Sequence, residues 1–252
     1  MPSHADRITV WMREHLAAGG ARGFVVGLSG GVDSAVVARL AQIAAGDAVI
    51  GVLMPCHSDS RDEADARLVA DHFRLRTVRI DLAQPYDALI AGLQNGTAAI
   101  RVRNGGTPDD IRARLPLVNV KPRLRMATLY FVANTLNYLV AGTGNRSELA
   151  IGYFTKYGDG GVDLLPIGHL LKSQVGGLAR ELGVPAPIID KAPSAGLWIG
   201  QTDEAEMGFT YADLERYLTE GPASVPPALA AQIERLVRAS EHKRSPLPIP
   251  DF

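Results

Sequence analysis

The fold is decided at residues 23–34, which read GFVVGLSGGVDS. Residues 23–28 form a short apolar run, the pattern of a strand that is buried on both faces of a parallel sheet. Residues 34–45 then place apolar side chains at helical spacing, and Gly30 and Gly31 separate the two patterns. A strand that passes into a helix through a glycine-rich turn is typical of an α/β fold. We therefore expect this turn at the carboxyl end of a parallel strand.

The alternation of short apolar runs with helical patterns continues on both sides of this stretch. It predicts strands at residues 48–54, 77–81 and 138–141, and helices at residues 8–18, 61–73, 122–136, 169–182, 211–219 and 227–239. Residues 95–110 are rich in Gly, Asn and Asp, and we expect a loop there. The chain is predicted to form one doubly wound α/β domain over residues 1–252, with a parallel sheet flanked by helices. The side chains expected to face the core from the helix at 122–136 are Met126, Leu129, Ala133 and Leu136.

Composition and charge narrow the class of protein. The 252 residues are 46% hydrophobic, and the net charge of −1 gives no support for a nucleic-acid or membrane partner. The N-terminus lacks a signal-peptide pattern, and no apolar run approaches the roughly 20 residues that span a bilayer. A cytoplasmic location is expected. The single cysteine, Cys56, excludes a disulfide framework and a multi-cysteine zinc site within one chain.

The turn at residues 29–34 carries groups suited to binding phosphate. Gly30 and Gly31 let the backbone approach an anion, the following helix N-terminus presents free N–H groups, and two serines add hydroxyls. Asp33 suits such a loop when a Mg²⁺ ion lies between its carboxylate and the phosphate. The string is neither a Walker A loop nor Gly-x-Gly-x-x-Gly. The structural alternative is a tight turn in which Asp33 or Ser34 caps the helix.

A second string, residues 142–148, reads GTGNRSE and follows the last predicted strand. Because Ser147 replaces the final glycine of a dinucleotide fingerprint, we reject that interpretation. The functional interpretation is that Thr143 contacts the same phosphate-bearing ligand and that Glu148 joins Asp33 on Mg²⁺. The structural alternative is that Ser147 and Glu148 only begin a helix.

A third string, residues 152–163, reads GYFTKYGDGGVD and places Lys156, Asp159 and Asp163 in one glycine-rich loop. The following helix pattern carries Lys172, which could reach triphosphate oxygens or could equally be a solvated helix lysine. From this clustering, Asp159 is a catalytic candidate whose carboxylate could hold a cation and accept its proton.

These strings together resemble a known family of enzymes. Residues 29–34 resemble the Ser-Gly-Gly-x-Asp-Ser signature of the N-type ATP pyrophosphatases, whose fold is described as adenine nucleotide alpha hydrolase-like. With the strings at 119–126, 193–198, 200–204 and 242–244, the later motifs look like the NAD synthetase family. The resemblance implies amidation of deamido-NAD by ammonia through an acyl adenylate, with ATP consumed and AMP and pyrophosphate released.

The resemblance also assigns roles to individual residues. It implies Asp33 and Glu148 as Mg²⁺ ligands, with Asp33 and Lys172 as catalytic residues. The residues implied to bind ATP are Gly27, Leu28, Ser29, Gly30, Gly31, Val32, Asp33, Ser34, Thr143, Lys172 and Ser194. Those implied to bind deamido-NAD are Arg123, Lys156, Asp163, His242 and Lys243, while Arg125 is left open as a second arginine for this task. A homodimer is implied, and residues 193–208 are implied to close over the substrates.

The nitrogen donor and the rival functions are judged from the same sequence. A glutaminase needs an activated cysteine nucleophile, and the chain offers only Cys56 and no extra length for such a domain. We expect free ammonia, with a separate glutaminase partner left open. The alternatives are another adenylating pyrophosphatase, of the GMP synthetase or tRNA-thiolating kind, and a non-catalytic nucleotide-binding module.

Overall fold

The computed structural model describes residues 3–98, 111–194, 196 and 200–250. Its described strands are β1 (Phe24–Gly27), β2 (Val49–Leu53), β3 (Arg76–Arg79) and β4 (Leu139–Val140). They form one parallel sheet in the order β3-β2-β1-β4, with Val25 paired to Ile50 on one side and to Val140 on the other. The predicted parallel sheet is therefore confirmed. No helix among these described residues is long and apolar enough to cross a membrane.

Helices cover both faces of the sheet. The α-helices are α1 (His4–Ala18), α2 (Val32–Ala45), α3 (Ser60–Phe73), α4 (Ala83–Gly96), α5 (Ile111–Val118), α6 (Val120–Leu136), α7 (Arg146–Ile151), α8 (Lys172–Glu181), α9 (Ala186–Ile189), α10 (Asp203–Met207), α11 (Tyr211–Glu220) and α12 (Pro227–Ser240). Phe24 and Val26 pack into a core with α1, α2 and α8, whereas Val25 points to the opposite face, toward α6. This split follows from the two-residue repeat of a strand. The doubly wound α/β class is confirmed.

Helix α6 and the segment before it differ in part from the sequence prediction. Ala133, Leu129 and Leu136 pack in the cluster beneath α6 as expected, but Met126 lines a cavity beyond the sheet. The predicted loop at 95–110 is wrong at its start, because α4 extends through Gly96. Residues 99–110 lie outside the described part of the chain.

The C-terminal helices form a second layer over α7. Ile151 packs with Leu214 and Ile233 in a separate apolar cluster that joins α7 to α11 and α12. Gly152, which ends α7, has φ +69°, and a Cβ there would lie 2.1 Å from the Cβ of Ser240. This close approach lets the short 3-10 helix Glu241–Lys243 lie against the residues that follow α7.

Candidate active site

One large cavity lies beyond the carboxyl ends of β1, β2 and β4, where parallel α/β sheets bind their ligands. Its volume is about 640 Å³. We call one part of its lining the carboxylate side; it contains residues 27–29 and 31–34, Thr143, Glu148 and Lys172. Another part of the lining, the basic side, contains Arg123, Lys156, His242 and Lys243.

Serine hydroxyl groups within the loop at residues 29–34, the first loop, fix its shape. The Oγ atom of Ser34 donates to the carbonyl of Gly31 at 2.9 Å and accepts from the backbone N–H of Ser29 at 3.2 Å. Gly30 has φ +79°, and a Cβ there would lie 2.4 Å from the carbonyl oxygen of Asp62 in α3, so only glycine fits.

Helix α2 begins directly after these glycines. Its N-cap is Gly31, and no side chain caps the first turn. The alternative in which Asp33 or Ser34 is the cap is therefore wrong, because both residues lie inside the helix. The uncapped N–H groups leave this helix end suited to an anion.

Three charged side chains meet at the centre of the carboxylate side. The ammonium of Lys172 donates to Oδ2 of Asp33, and its distance to Oε1 of Glu148 is 3.3 Å. The side chains of Lys172, Asp33 and Glu148 are only 11%, 17% and 16% exposed. Lys172 is thus not a solvated helix lysine. The sheet brings together residues that are 139 positions apart.

Burial and the neighbouring charges shift the pKa values of Glu148 and Lys172. Burial and the neighbouring carboxylate of Asp33 raise the pKa of Glu148 to about 8. Burial alone would lower the pKa of Lys172, but the carboxylates of Asp33 and Glu148 outweigh it and raise that pKa. The cluster therefore favours a positive charge between its two carboxylates.

Asn145 organises this cluster, although it is not among the site residues predicted from the sequence. It is fully buried, and its Nδ2 donates to Oδ1 of Asp33 at 3.2 Å. It is also the N-cap of α7: its side chain accepts from the backbone N–H of Glu148, whose carboxylate accepts from the N–H of Asn145. The signal for this capping box is the Asn-x-x-Glu spacing at 145–148. The helix start considered for Ser147 and Glu148 is thus correct, and it leaves Oε1 of Glu148 directed toward Lys172.

The donor set fits Mg²⁺ better than a transition metal. Asp33 and Glu148 offer carboxylate oxygens, and no group of three or more His, Cys, Asp or Glu side chains with metal-binding geometry occurs within residues 3–98, 111–194, 196 and 200–250. Mg²⁺ is commonly held by one or two carboxylates, with water and substrate phosphates completing its octahedron. Lys172 lies where a cation would lie, between both candidate ligands.

The basic side is built by the chain's C-terminal segment folding against the loop after α7. The ammonium of Lys243 donates to the carbonyls of Gly152 and Phe154, both at 2.7 Å, and burial lowers the pKa of Lys243. The ammonium of Lys156 donates to the carbonyl of His242, and Arg123 donates to the carbonyl of Lys156 at 3.4 Å. These cations are therefore positioned by neutral carbonyl groups.

Most residues expected at the site line this one cavity, including Asp159 and Ser194. Gly30 and Asp163 do not. Gly30 faces α3, and Asp163 accepts from the hydroxyl of Tyr130 at 2.9 Å and from the backbone N–H of Val140 at 2.8 Å. The segment 193–208 is implied by the resemblance to close over the substrates. Its residues 195 and 197–199 lie outside the described part of the chain.

Two further charged groups in the wall carried no sequence assignment. The ammonium of Lys191 lies 2.8 Å from Oδ1 of Asp62 and 2.6 Å from Oδ2 of Asp65. These two ion pairs connect the chain just before the 193–208 segment to α3. Asp203 is 3% exposed, and one of its oxygens accepts from the hydroxyl of Tyr211 at 2.9 Å. No local sequence pattern predicts the Lys191 contacts, because they join distant parts of the chain.

Comparison with known proteins agrees with this geometry. Residues 4–247 match the family model described as NAD synthase. The chain is 52% identical to the NH(3)-dependent NAD(+) synthetase of Carboxydothermus hydrogenoformans, over 95% of this chain and 93% of the relative.

Two solved structures share the fold over nearly their whole length. The NMN synthetase of Francisella tularensis has a TM-score of 0.88 and 36% identity, covering 99% of this chain and 98% of that one. The NH3-dependent NAD synthetase of Campylobacter jejuni, in complex with the nitrate ion, has a TM-score of 0.77 and 28% identity, covering 98% and 97%.

Proposed function

The chain belongs to the NAD synthase family, and we propose that it converts deamido-NAD to NAD with ATP and ammonia, releasing AMP and pyrophosphate. The observation that carries this proposal is the carboxylate side of the cavity. There, a glycine-rich loop and an uncapped helix end stand beside Asp33, Glu148 and Lys172. The basic side offers cations to a second anionic substrate within the same cavity.

The chemistry explains why both sides are needed. A carboxylate is a poor electrophile until its oxygen becomes part of a good leaving group. The nicotinate carboxylate oxygen forms a bond to the α-phosphorus of ATP as the bond to pyrophosphate breaks. Ammonia then forms the C–N bond and loses a proton, while the C–O bond breaks and AMP leaves. Positioning and charge stabilisation carry such a transfer, so no protein nucleophile is required.

A divalent cation fits the carboxylate side. Asp33 and Glu148 would hold Mg²⁺, which supplies positive charge to the triphosphate when bound. Lys172 would then direct its ammonium to the phosphate oxygens, because it can no longer lie between both carboxylates. The first loop would bind phosphate through its backbone N–H groups and the hydroxyls of Ser29 and Ser34. Ser194 and Thr143 are expected to contribute hydroxyls to the same nucleotide.

The basic side would bind the dinucleotide through Arg123, Lys156, His242 and Lys243. We keep Asp163 as a dinucleotide-binding candidate, although its carboxylate is engaged by Tyr130 and Val140. Asp159 lines the cavity and accepts from the N–H of Thr155 at 2.8 Å, which fixes one carboxylate oxygen. It is the candidate that holds ammonium and accepts its proton before attack.

The direct test is turnover of purified protein with ATP, Mg²⁺ and deamido-NAD, with ammonium or glutamine as nitrogen donor. We expect NAD, AMP and pyrophosphate in equal amounts with ammonium and no NAD with glutamine. Cleavage of ATP without NAD would point to a different acceptor, as in other adenylating pyrophosphatases. Folded protein that binds ATP and never cleaves it would overturn the enzyme assignment in favour of a binding module.

A second acceptor, nicotinate mononucleotide, is favoured by the similarity to the Francisella NMN synthetase. Amidation of this smaller nucleotide uses the same carboxylate and the same adenylate chemistry. The two acceptors are separated by kcat/KM measured on each with ATP and ammonium held constant. A higher value for deamido-NAD supports the dinucleotide, and a higher value for the mononucleotide reverses the assignment.

A homodimer is the proposed assembly, and the surface formed by α4 and α6 is its candidate interface. These helices contact each other, and α4 has no buried residue. Leu89 and Leu93 are 41% and 46% exposed, and Phe131 on α6 is 72% exposed. Exposed apolar surface of this kind is typical of a protein interface.

Sedimentation velocity tests the dimer and its interface. The native chain should sediment as a dimer, and Leu93→Glu should shift it toward monomer because it places a charge in an apolar contact. The matched control is Ile249→Glu in the C-terminal tail, where an apolar side chain is 84% exposed outside this surface. A dimer that survives Leu93→Glu and Phe131→Glu would exclude this interface.

A further inference from the structure

Arg125 is a charged side chain in the cavity wall that has no role in the proposed function. Its Nε donates to the carbonyl of Met54 at 3.3 Å, and its Nη2 donates to the hydroxyl of Ser58 at 3.2 Å. Both partners are neutral and follow the end of β2. Among the described residues its Nη1 has no hydrogen-bond partner, and no carboxylate lies within ion-pair distance of the guanidinium.

Two lysines in the cavity wall, unlike Arg125, are paired with carboxylates. Lys172 contacts Asp33 and Glu148, and Lys191 contacts Asp62 and Asp65. Burial lowers the pKa of Arg125, while Asp159 and Asp62 act on it only through space. A guanidinium nevertheless remains charged at neutral pH. A partly buried charge that contacts only neutral groups is unfavourable, so an anionic ligand group would stabilise it.

The contacts of Arg125 indicate which anionic group of the ligand it would bind. Arg123 and Arg125 lie on one helix, but Arg123 donates to Lys156 on the basic side, whereas Arg125 reaches the end of β2. Strand β2 pairs with β1, whose end carries the first loop, with Gly27 beside Val52. Arg125 is thus next to the loop that would bind the nucleotide. The β- and γ-phosphates would lie at α2 and Lys172, which leaves the α-phosphate nearest to Arg125.

We propose that Arg125 binds the α-phosphate of the adenine nucleotide and stays on it through the reaction, an assignment that rests on the proposed function. The α-phosphate keeps its non-bridging oxygens when the carboxylate replaces pyrophosphate and again when AMP leaves. The planar guanidinium can bind two of these oxygens at once. Arg123 and Arg125 then serve different substrates, and Ser58 is a positioning residue that orients the guanidinium.

Equilibrium binding of AMP and adenosine tests this proposal without turnover. The two ligands differ only by the α-phosphate, so their affinity ratio measures what the protein gains from it. In Arg125→Met the preference for AMP over adenosine should fall by about 10- to 100-fold, the range for one charge-assisted hydrogen-bonding group. Arg125→Lys should keep part of the preference. The matched control is Arg123→Met, which removes the same charge from the same helix and should leave the ratio unchanged.

The outcomes separate this proposal from the proposed function. Native protein that binds neither AMP nor ATP would remove the function itself. Native protein that prefers AMP, together with an Arg125→Met variant that keeps the full preference, would overturn the role of Arg125 alone. An equal loss in Arg123→Met would also overturn it, since the effect would then be general charge. If Arg125→Met does not fold, Arg125→Gln carries the same test, because its amide can still donate to Met54.

Discussion

The two sides of the cavity are built in different ways. On the carboxylate side, Asp33, Glu148 and Lys172 are each less than a fifth exposed, and the Lys172 ammonium contacts both carboxyl groups. On the basic side, Arg123 and His242 are exposed, and Lys156 and Lys243 are held by backbone carbonyls rather than by carboxylates. The first side is ordered by charge pairing on the sheet. The second depends on the C-terminal segment packing against the loop after α7.

This difference suggests that the two sides have separate roles, one in the chemical step and one in acceptor binding. Buried charges that already have partners keep one geometry, which suits chemistry at a phosphorus atom. Exposed cations with unsatisfied charge suit capture of a large anionic substrate from solution. Variants on the two sides should therefore fail in different ways: in catalysis on one side and in acceptor binding on the other.

The largest effect is expected for Asp33→Asn on the carboxylate side. The change removes a proposed metal ligand and one partner of Lys172, so kcat for AMP formation should fall by about 100- to 1,000-fold or more. Steady-state kinetics with saturating acceptor measures it. Asp47→Asn, an exposed carboxylate just beyond the other end of α2, should leave kcat unchanged. A modest loss that appeared only in the KM for deamido-NAD would contradict the proposed division.

The next largest effect is expected for Lys172→Met, which removes the cation of the carboxylate side. Without Lys172 the carboxylates of Asp33 and Glu148 lack a counter-charge, and the free energy of unfolding should fall by about 3 kcal/mol or more. Because a divalent cation can replace the missing charge, Mg²⁺ should raise the thermal midpoint more in the variant than in the native protein.

Lys191→Met is the matched control for this stability measurement. Lys191 also joins two carboxylates, Asp62 and Asp65, but its side chain is 28% exposed, so the loss of stability should be smaller. Mg²⁺ should not restore it. If Mg²⁺ stabilised the two variants equally, the metal site assigned to Asp33 and Glu148 would be wrong.

On the basic side, Lys243→Met should weaken acceptor binding. The carbonyls of Gly152 and Phe154 lose their shared donor, and the loop that carries Lys156 loosens. The KM for deamido-NAD should rise by about 10-fold, whereas the preference for AMP over adenosine should stay constant. Initial-rate kinetics with each substrate varied in turn measures the first quantity. A kcat defect with an unchanged KM would place Lys243 in the chemical step instead.

The smallest effect is expected from salt. Raising the ionic strength from about 0.05 M to about 0.5 M shortens the Debye length to a few ångströms and screens exposed charges most. The KM for deamido-NAD should increase severalfold, and the KM for ATP should change less because its cations are buried. Equal salt dependence of both values would show that the two sides are equally accessible to solvent.

Much of the carboxylate side could be predicted from the sequence. The first loop, Thr143 and Glu148 follow predicted strands, and the carboxyl ends of neighbouring parallel strands meet at one edge of a sheet. Helix α4 could not be predicted in the same way. It has no buried residue to impose a clear apolar stripe, and its N-cap Leu82 makes no side-chain capping bond.

The sequence by itself determined the alternation of strands and helices, the glycine-rich loop, and most of the charged residues that line the cavity. These properties are local, because they depend on spacing within a few turns or within one strand. Only the tertiary structure decided which charges are paired. Lys191 meets Asp62 across 129 positions, and Arg123 and Arg125 contact different parts of the cavity wall although they lie only two positions apart. Electrostatic interactions depend on distance in space and on burial, and both are set by how distant segments pack.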